Sequence, residues 1–160
     1  MSSPASLLRP GASLAGKTFT GISIENVDLT DVDLRGASFI RCSLLGARFV
    51  RTKLLQAKFS DVQLVGALFD AAELEEAQFV QSNLDKTTWQ DVLGARATFE
   101  RSSLSYATFL RTTFTGASFV DARFEVAKLE EVDATGADLR ATQWGLATFT
   151  RCLLGQTKLG

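Results

Sequence analysis

The chain has 160 residues, of which 17 are basic and 18 acidic, giving a formal net charge of -1, and it contains no histidine. That is the size of one domain, with neither the basic surplus of most nucleic-acid binders nor the acidic surplus of a solvating tail. Without imidazole, His-dependent catalytic triads, most zinc sites and pH switching near neutrality are excluded.

The first segment, Met1 to Gly16, has no apolar run behind a basic start, and the chain has no 18-residue apolar stretch, so neither a signal peptide nor a membrane span is expected. Residues 1–11 read as an N-terminal extension or partial cap in which Leu7, Leu8 and Pro10 fold over the first repeats. Residues 12–160 read as a single repeat domain. Cys42 and Cys152 are too few for a disulfide framework, and no N-x-Ser/Thr acceptor accompanies them, so a reducing cytoplasm is the expected compartment.

From Phe19 onward all 12 Phe and both Trp fall in one frame of five: Phe19, Phe39, Phe49, Phe59, Phe69, Phe79, Trp89, Phe99, Phe109, Phe114, Phe119, Phe124, Trp144 and Phe149. Between 19 and 159 the rest of this central position is Leu or Ile, except at Gly94 and Ala134. Two residues earlier stands a small residue, mostly Ala, Val or Thr. The other three places are mostly polar or glycine, so two of every five side chains face inward. A period of five matches neither the 3.6 of a helix nor the 2.0 of a strand, and a repeating corner is required. If each quintet is a short extended step and then a turn, the chain coils into a tube whose stacked coils pair their backbones. Glycine collects two places after the centre, at Gly16, Gly21, Gly36, Gly46, Gly66, Gly116 and Gly136, with Asn26 in the same slot. A type II turn beginning at the centre needs positive φ there. Quintets with Arg, Asp, Gln or Glu in that slot are expected to use other turn types.

Quintets such as Ala37-Ser38-Phe39, Ala47-Arg48-Phe49, Ala57-Lys58-Phe59 and Ala137-Asp138-Leu139 resemble those of the pentapeptide-repeat proteins, and the resemblance covers about residues 12 to 160. It implies an all-β fold, a right-handed quadrilateral β-helix with four quintets per coil and about seven coils. The charges test the coil length independently. At a separation of twenty residues there are eleven pairs of opposite sign and none of like sign: Asp28/Arg48, Asp31/Arg51, Asp33/Lys53, Arg41/Asp61, Lys53/Glu73, Glu76/Arg96, Asp91/Arg111, Arg101/Asp121, Arg111/Glu131, Glu131/Arg151 and Asp138/Lys158. Opposed like charges destabilise stacked strands and unlike ones help, so twenty residues per coil is the expectation. Phe114 then stands between Gly94 and Ala134, which reads as compensation of volume; a bulge at Leu93-Gly94 is the alternative.

A filled tube diverges its side chains from a convex surface, which is hostile to catalysis. The acidic groups Asp70, Glu73, Glu75, Glu76 and Glu130, Glu131, Asp133 read as solvated faces. Cys42 and Cys152 occupy the small inward slot as inert core thiols. No catalytic, cofactor or metal residue is assigned. The candidate interaction surface is the outward apolar belt Ile40, Leu45, Val50, Leu55 and Val65, with Tyr106 as an anchor. Phe149, Leu154 and Leu159 should lie near an open end, where a solenoid without a cap pairs with a copy of itself or is covered by a further segment. The expected function is a non-enzymatic scaffold or protein-protein interaction module, with no nucleic-acid or membrane partner. The resemblance adds alternatives: a DNA-mimicking modulator of DNA gyrase, or a bacterial secreted effector or secretion-system component.

Overall fold

The structure, a computed structural model, describes residues 4–160, with side chains from Ser6 onward. Met1 to Ser3, the beginning of the expected extension, lie outside the described residues. After a short 3-10 helix, Pro4–Leu7, the chain forms ten three-residue strands among the described residues. They are β1 Thr18–Thr20, β2 Ser38–Ile40, β3 Arg48–Val50, β4 Lys58–Ser60, β5 Leu68–Asp70, β6 Gln78–Val80, β7 Thr88–Gln90, β8 Thr108–Leu110, β9 Lys128–Glu130 and β10 Thr148–Thr150. All pair in parallel at a register of twenty, as in Phe19↔Phe39 and Phe49↔Phe69. One sheet runs β1-β2-β4-β6, and the other, half a coil away, runs β3-β5-β7-β8-β9-β10. The two intervening sides keep the same register through isolated bridges such as Asp33↔Lys53 and Gln63↔Asn83. The molecule is an all-β solenoid of four-sided coils.

The strands are short because a corner interrupts each side every five residues, so the ladder alternates direction within one quintet. Leu34 N–H donates forward to Lys53 O at 2.8 Å, while Lys53 N–H donates back to Val32 O at 3.0 Å. Inside, ring spacing follows strand spacing. Phe39, Phe59, Phe79 and Phe99 stack nearly parallel with centroids 4.6 to 5.1 Å apart. A second column, Phe49, Phe69 and Trp89, meets the first edge to face, with Phe69 and Phe79 at 5.9 Å and 87°. Twelve of the fourteen rings are buried. Trp144 is only partly covered and Phe149 is 41% exposed, so the expectation that every ring lies inside fails in the last described coil.

The corner slot departs from the sequence reading. Among the described residues every corner from Gly11 to Gln156 has positive φ, whatever its side chain, including Arg51 at 50°, Glu76 at 58° and Val126 at 60°. Up to Gly136 the ladder accounts for it: in this conformation the corner N–H bonds the next coil, as Asp31 N–H does to Val50 O at 2.9 Å, and the corners of the last coil keep the same backbone. Left-handed backbone costs a residue with a Cβ about 1–2 kcal/mol, and the regained hydrogen bond offsets it. Two corner kinds do occur, closed by a bond such as Ala37 N–H to Leu34 O at 3.0 Å, or left open after a strand as at Arg51. Side-chain type does not sort them: Gly21 comes after a strand, while Gln56 sits in a hydrogen-bonded turn.

Gly94 lies in a regular hydrogen-bonded turn with no bulge, its N–H on Thr113 O at 2.7 Å. A Cβ there would meet Phe114 Cε1 at 2.5 Å, so the missing side chain is room for that ring. At the start of the rod Leu8 and Leu14 are buried, whereas Leu7 and Pro10 are exposed, so the lid expected from three residues is made by Leu8.

Candidate interaction site

The sides of the rod show why chemistry is hard to build on them. Among the described residues no group of three or more His, Cys, Asp or Glu is placed to hold a metal ion. Glu73 is a bridge partner of Lys53 and Leu93, and Glu76 accepts hydrogen bonds from Gln56 and Arg96, which hold its carboxyl below the usual range. The Cys42 thiol is buried and donates to Phe19 O at 3.4 Å. Cys152, expected in the core, is half-buried on the last coil, with its thiol on Leu129 O.

Four of the eleven stacked charge pairs close as ion pairs: Asp31–Arg51 at 2.7 Å, Glu76–Arg96 at 2.9 Å, Asp91–Arg111 at 2.7 Å and Glu131–Arg151 at 2.8 Å. All four join corner residues. Where the acid stands just before a centre, its carboxylate instead accepts from the residue two places on, as Asp33 does from Arg35, Asp138 from Arg140 and Asp28 from Thr30. Asp33/Lys53 and Asp138/Lys158 are therefore ladder neighbours without being ion pairs. Sorting outward charges by side leaves no side with an excess greater than two.

The apolar belt does not form one surface. Ile40, Leu45, Val50 and Leu55 fall on four successive sides, so they encircle the rod, and Val50 is buried at 8% exposure. Only Leu45 and Val65 share a side, and both are half-buried. Tyr106 stands out at 58% exposure on a corner. A polar depression of about 540 Å³, which sequence reasoning missed, is lined by Gln63, Gln81, Asn83, Arg101, Ser103 and Arg123. Its signal was present in the bridge column Ser43, Gln63, Asn83, Ser103.

The end of the rod is different. Leu154 is 41% and Leu159 74% exposed beside Phe149, and Leu146 and Leu153 join them, as sequence reasoning did not foresee. The taper from Phe109, Phe114 and Phe119 to Leu129, Ala134 and Leu139 leaves a small apolar cavity of about 20 Å³ under Trp144 and Phe149. Five of the nine exposed large apolar side chains among the described residues thus lie in the last described coil.

Two family profiles match the chain: pentapeptide repeat region over residues 32–109, and pentapeptide repeats (8 copies) over residues 95–130. Among solved structures, a trypsin-treated variant of QnrB1, a plasmid-mediated fluoroquinolone resistance protein, is similar at 22% identity and a TM-score of 0.79, covering 92% of this chain and 84% of that one. HetL, a pentapeptide repeat protein involved in heterocyst differentiation regulation in the cyanobacterium Nostoc sp. strain PCC 7120, is similar at 20% identity and a TM-score of 0.61, covering 91% and 86%. At these identities the likeness is one of fold. No curated protein sequence matches.

Proposed function

Since the chain belongs to the pentapeptide-repeat family, a family of structural repeats, we propose that it is a non-enzymatic interaction module: a rigid rod that presents surface to other proteins and pairs through its C-terminal end with a second copy of itself. The observation that carries the reading is the contrast between sealed sides and an open end. Phe149, Leu154 and Leu159 expose apolar surface together on the last described coil, where the sides of the earlier coils keep their central residues buried. Burying that surface against its own copy covers it in one closed, two-fold contact. Sedimentation equilibrium tests it: the chain should dimerise, and Leu159→Glu, whose side chain is already solvent-facing, should give a folded monomer. A chain that stays monomeric at every concentration would refute the end contact.

The alternative, a DNA-shaped modulator of gyrase, needs an extended negative field along the rod, and the balance of charge on every side speaks against it. The purified protein should neither inhibit gyrase supercoiling nor bind duplex DNA at physiological salt. Stoichiometric inhibition would favour that alternative.

A further inference from the structure

Every corner residue among the described residues has positive φ, and the slot is filled almost entirely by glycine, alanine, Asn, Asp and long polar side chains. From Gly11 to Gln156 only three corners carry an apolar residue larger than alanine: Tyr106, Val126 and Leu146. All three stack on the same corner in consecutive coils, where earlier coils have Asn26, Gly46, Gly66 and Lys86. Their backbones are bonded in register, Tyr106 N–H to Glu125 O and Val126 N–H to Gly145 O, both at 2.8 Å. They gain little by burial, since Tyr106 is 58% and Leu146 86% exposed, with Val126 half-buried between them. Neither local preference nor the core explains an apolar line here, and exposed apolar side chains aligned on one corner without gain to the core point to an external contact.

We propose that this line, Tyr106-Val126-Leu146, docks an amphipathic α-helix of a protein partner running along the rod. The spacing fits: the three side chains stand about 4.8 Å apart, and apolar positions i, i+3 and i+7 of a helix rise by about 4.5 and 10.5 Å, close to one and two coils. A strand, whose same-face side chains recur about every 6.8 Å, falls out of step within one coil. Charge flanks the line unequally. Glu125 lies on one side and Lys128 on the other, and neither closes an ion pair among the described residues, so the fitting helix carries a base on one shoulder of its apolar seam and an acid on the other. Three side chains expose apolar surface on the order of 300 Å², short of the roughly 800 Å² per partner of a stable dimer, so a second rod is a poor occupant and a helix held transiently is a good one.

The proposal rests on reading the chain as an interaction module; its line meets the end contact only at Leu146, while Tyr106 and Val126 stand on the two earlier coils. Tyr106 is the only tyrosine, so 3-fluorotyrosine labelling places one ¹⁹F resonance on the line. The probe is a synthetic alanine-based helix of 18 residues with leucine at i, i+3 and i+7, lysine on one shoulder and glutamate on the other. The resonance should shift saturably with this peptide and not with one bearing serine in place of leucine. Val126→Asn, which suits positive φ, should weaken binding at least about tenfold while leaving the melting temperature equal or higher. Leu159→Glu should leave the response intact, so either contact can fail without the other. No difference between the leucine and serine peptides overturns the proposal, as does unweakened binding by Val126→Asn. A lowered melting temperature in that variant overturns it by showing that valine serves the fold. A resonance that moves with protein concentration alone gives the corner to a second copy and overturns it too.

Discussion

Replacing Phe79 by alanine removes the ring at the middle of the inner stack. Phe79 has no exposed surface, lies 4.6 Å from Phe59 and 5.1 Å from Phe99 in parallel stacking, and meets Phe69 and Trp89 edge to face at 5.9 and 6.0 Å. Burial and cavity together set the usual cost of Phe→Ala at about 3–5 kcal/mol. Aromatic pairs add about 0.5–1.5 kcal/mol each beyond area, and four are lost here, so the upper end of that range applies. Relaxation offers little relief, because each neighbouring coil is pinned by its own ladder. Phe149→Ala, at 41% exposure on the last coil, should cost less than half as much. Urea unfolding monitored by far-UV circular dichroism measures both. A loss below about 1 kcal/mol at Phe79, or equal losses at the two sites, would refute the packed column and its open end.

The same geometry sets three further outcomes. Arg111→Glu places an acid between Asp91 and Glu131 and should destabilise more at low salt than at high; equal loss at both would refute the charge ladder. Gly94→Ala should destabilise through the 2.5 Å approach to Phe114, and Phe114→Leu in the same chain should recover part of the loss by urea denaturation. Asp31 and Asp91 are held below the usual carboxylate range by Arg51 and Arg111, so their contribution is full above the unfolded pKa of about 4 and is lost as pH falls through the lower folded values. Thermal melts should therefore be nearly flat from pH 5 to 8, where no histidine titrates, and fall below pH 4; a step near pH 6.5 would contradict this.

The inside of the rod was legible because volume alone decides it. A Phe every ten or twenty residues in one frame of five admits no helix or simple strand, and the gap at Gly94 could be assigned to Phe114 once the coil length was known. The coil length, implied by the family resemblance, was supported by charges that mostly do not touch: Asp33 and Lys53 are neighbours in the ladder, yet the carboxylate turns to Arg35. A favourable sign needs only proximity, whereas an ion pair needs geometry, so counting pairs supported the register and overstated the contacts. The corners were misread for a related reason. Glycine reports a preference for positive φ, but the ladder demands it of Arg51 and Val126 as well, and a hydrogen bond between coils twenty residues apart is not written in the residue that adopts the strain.

That asymmetry bears on where function is visible in a solenoid. Inward positions are fixed by packing and corners by backbone pairing, so most of their residues report on the fold and little else. The outward polar residues tolerate exchange and report weakly on anything. Information about partners is then concentrated where an outward or corner residue violates the local rule without repayment inside the molecule. The apolar belt at Ile40 to Leu55 failed this test, since it winds around four sides and Val50 is buried. Tyr106 passes it only in company: alone it is one exposed ring, but above it Val126 and Leu146 repeat the violation in the next two coils and lead to the open end at Phe149. The sequence contains all three residues at spacings of twenty. They become a line only after the coil has been closed.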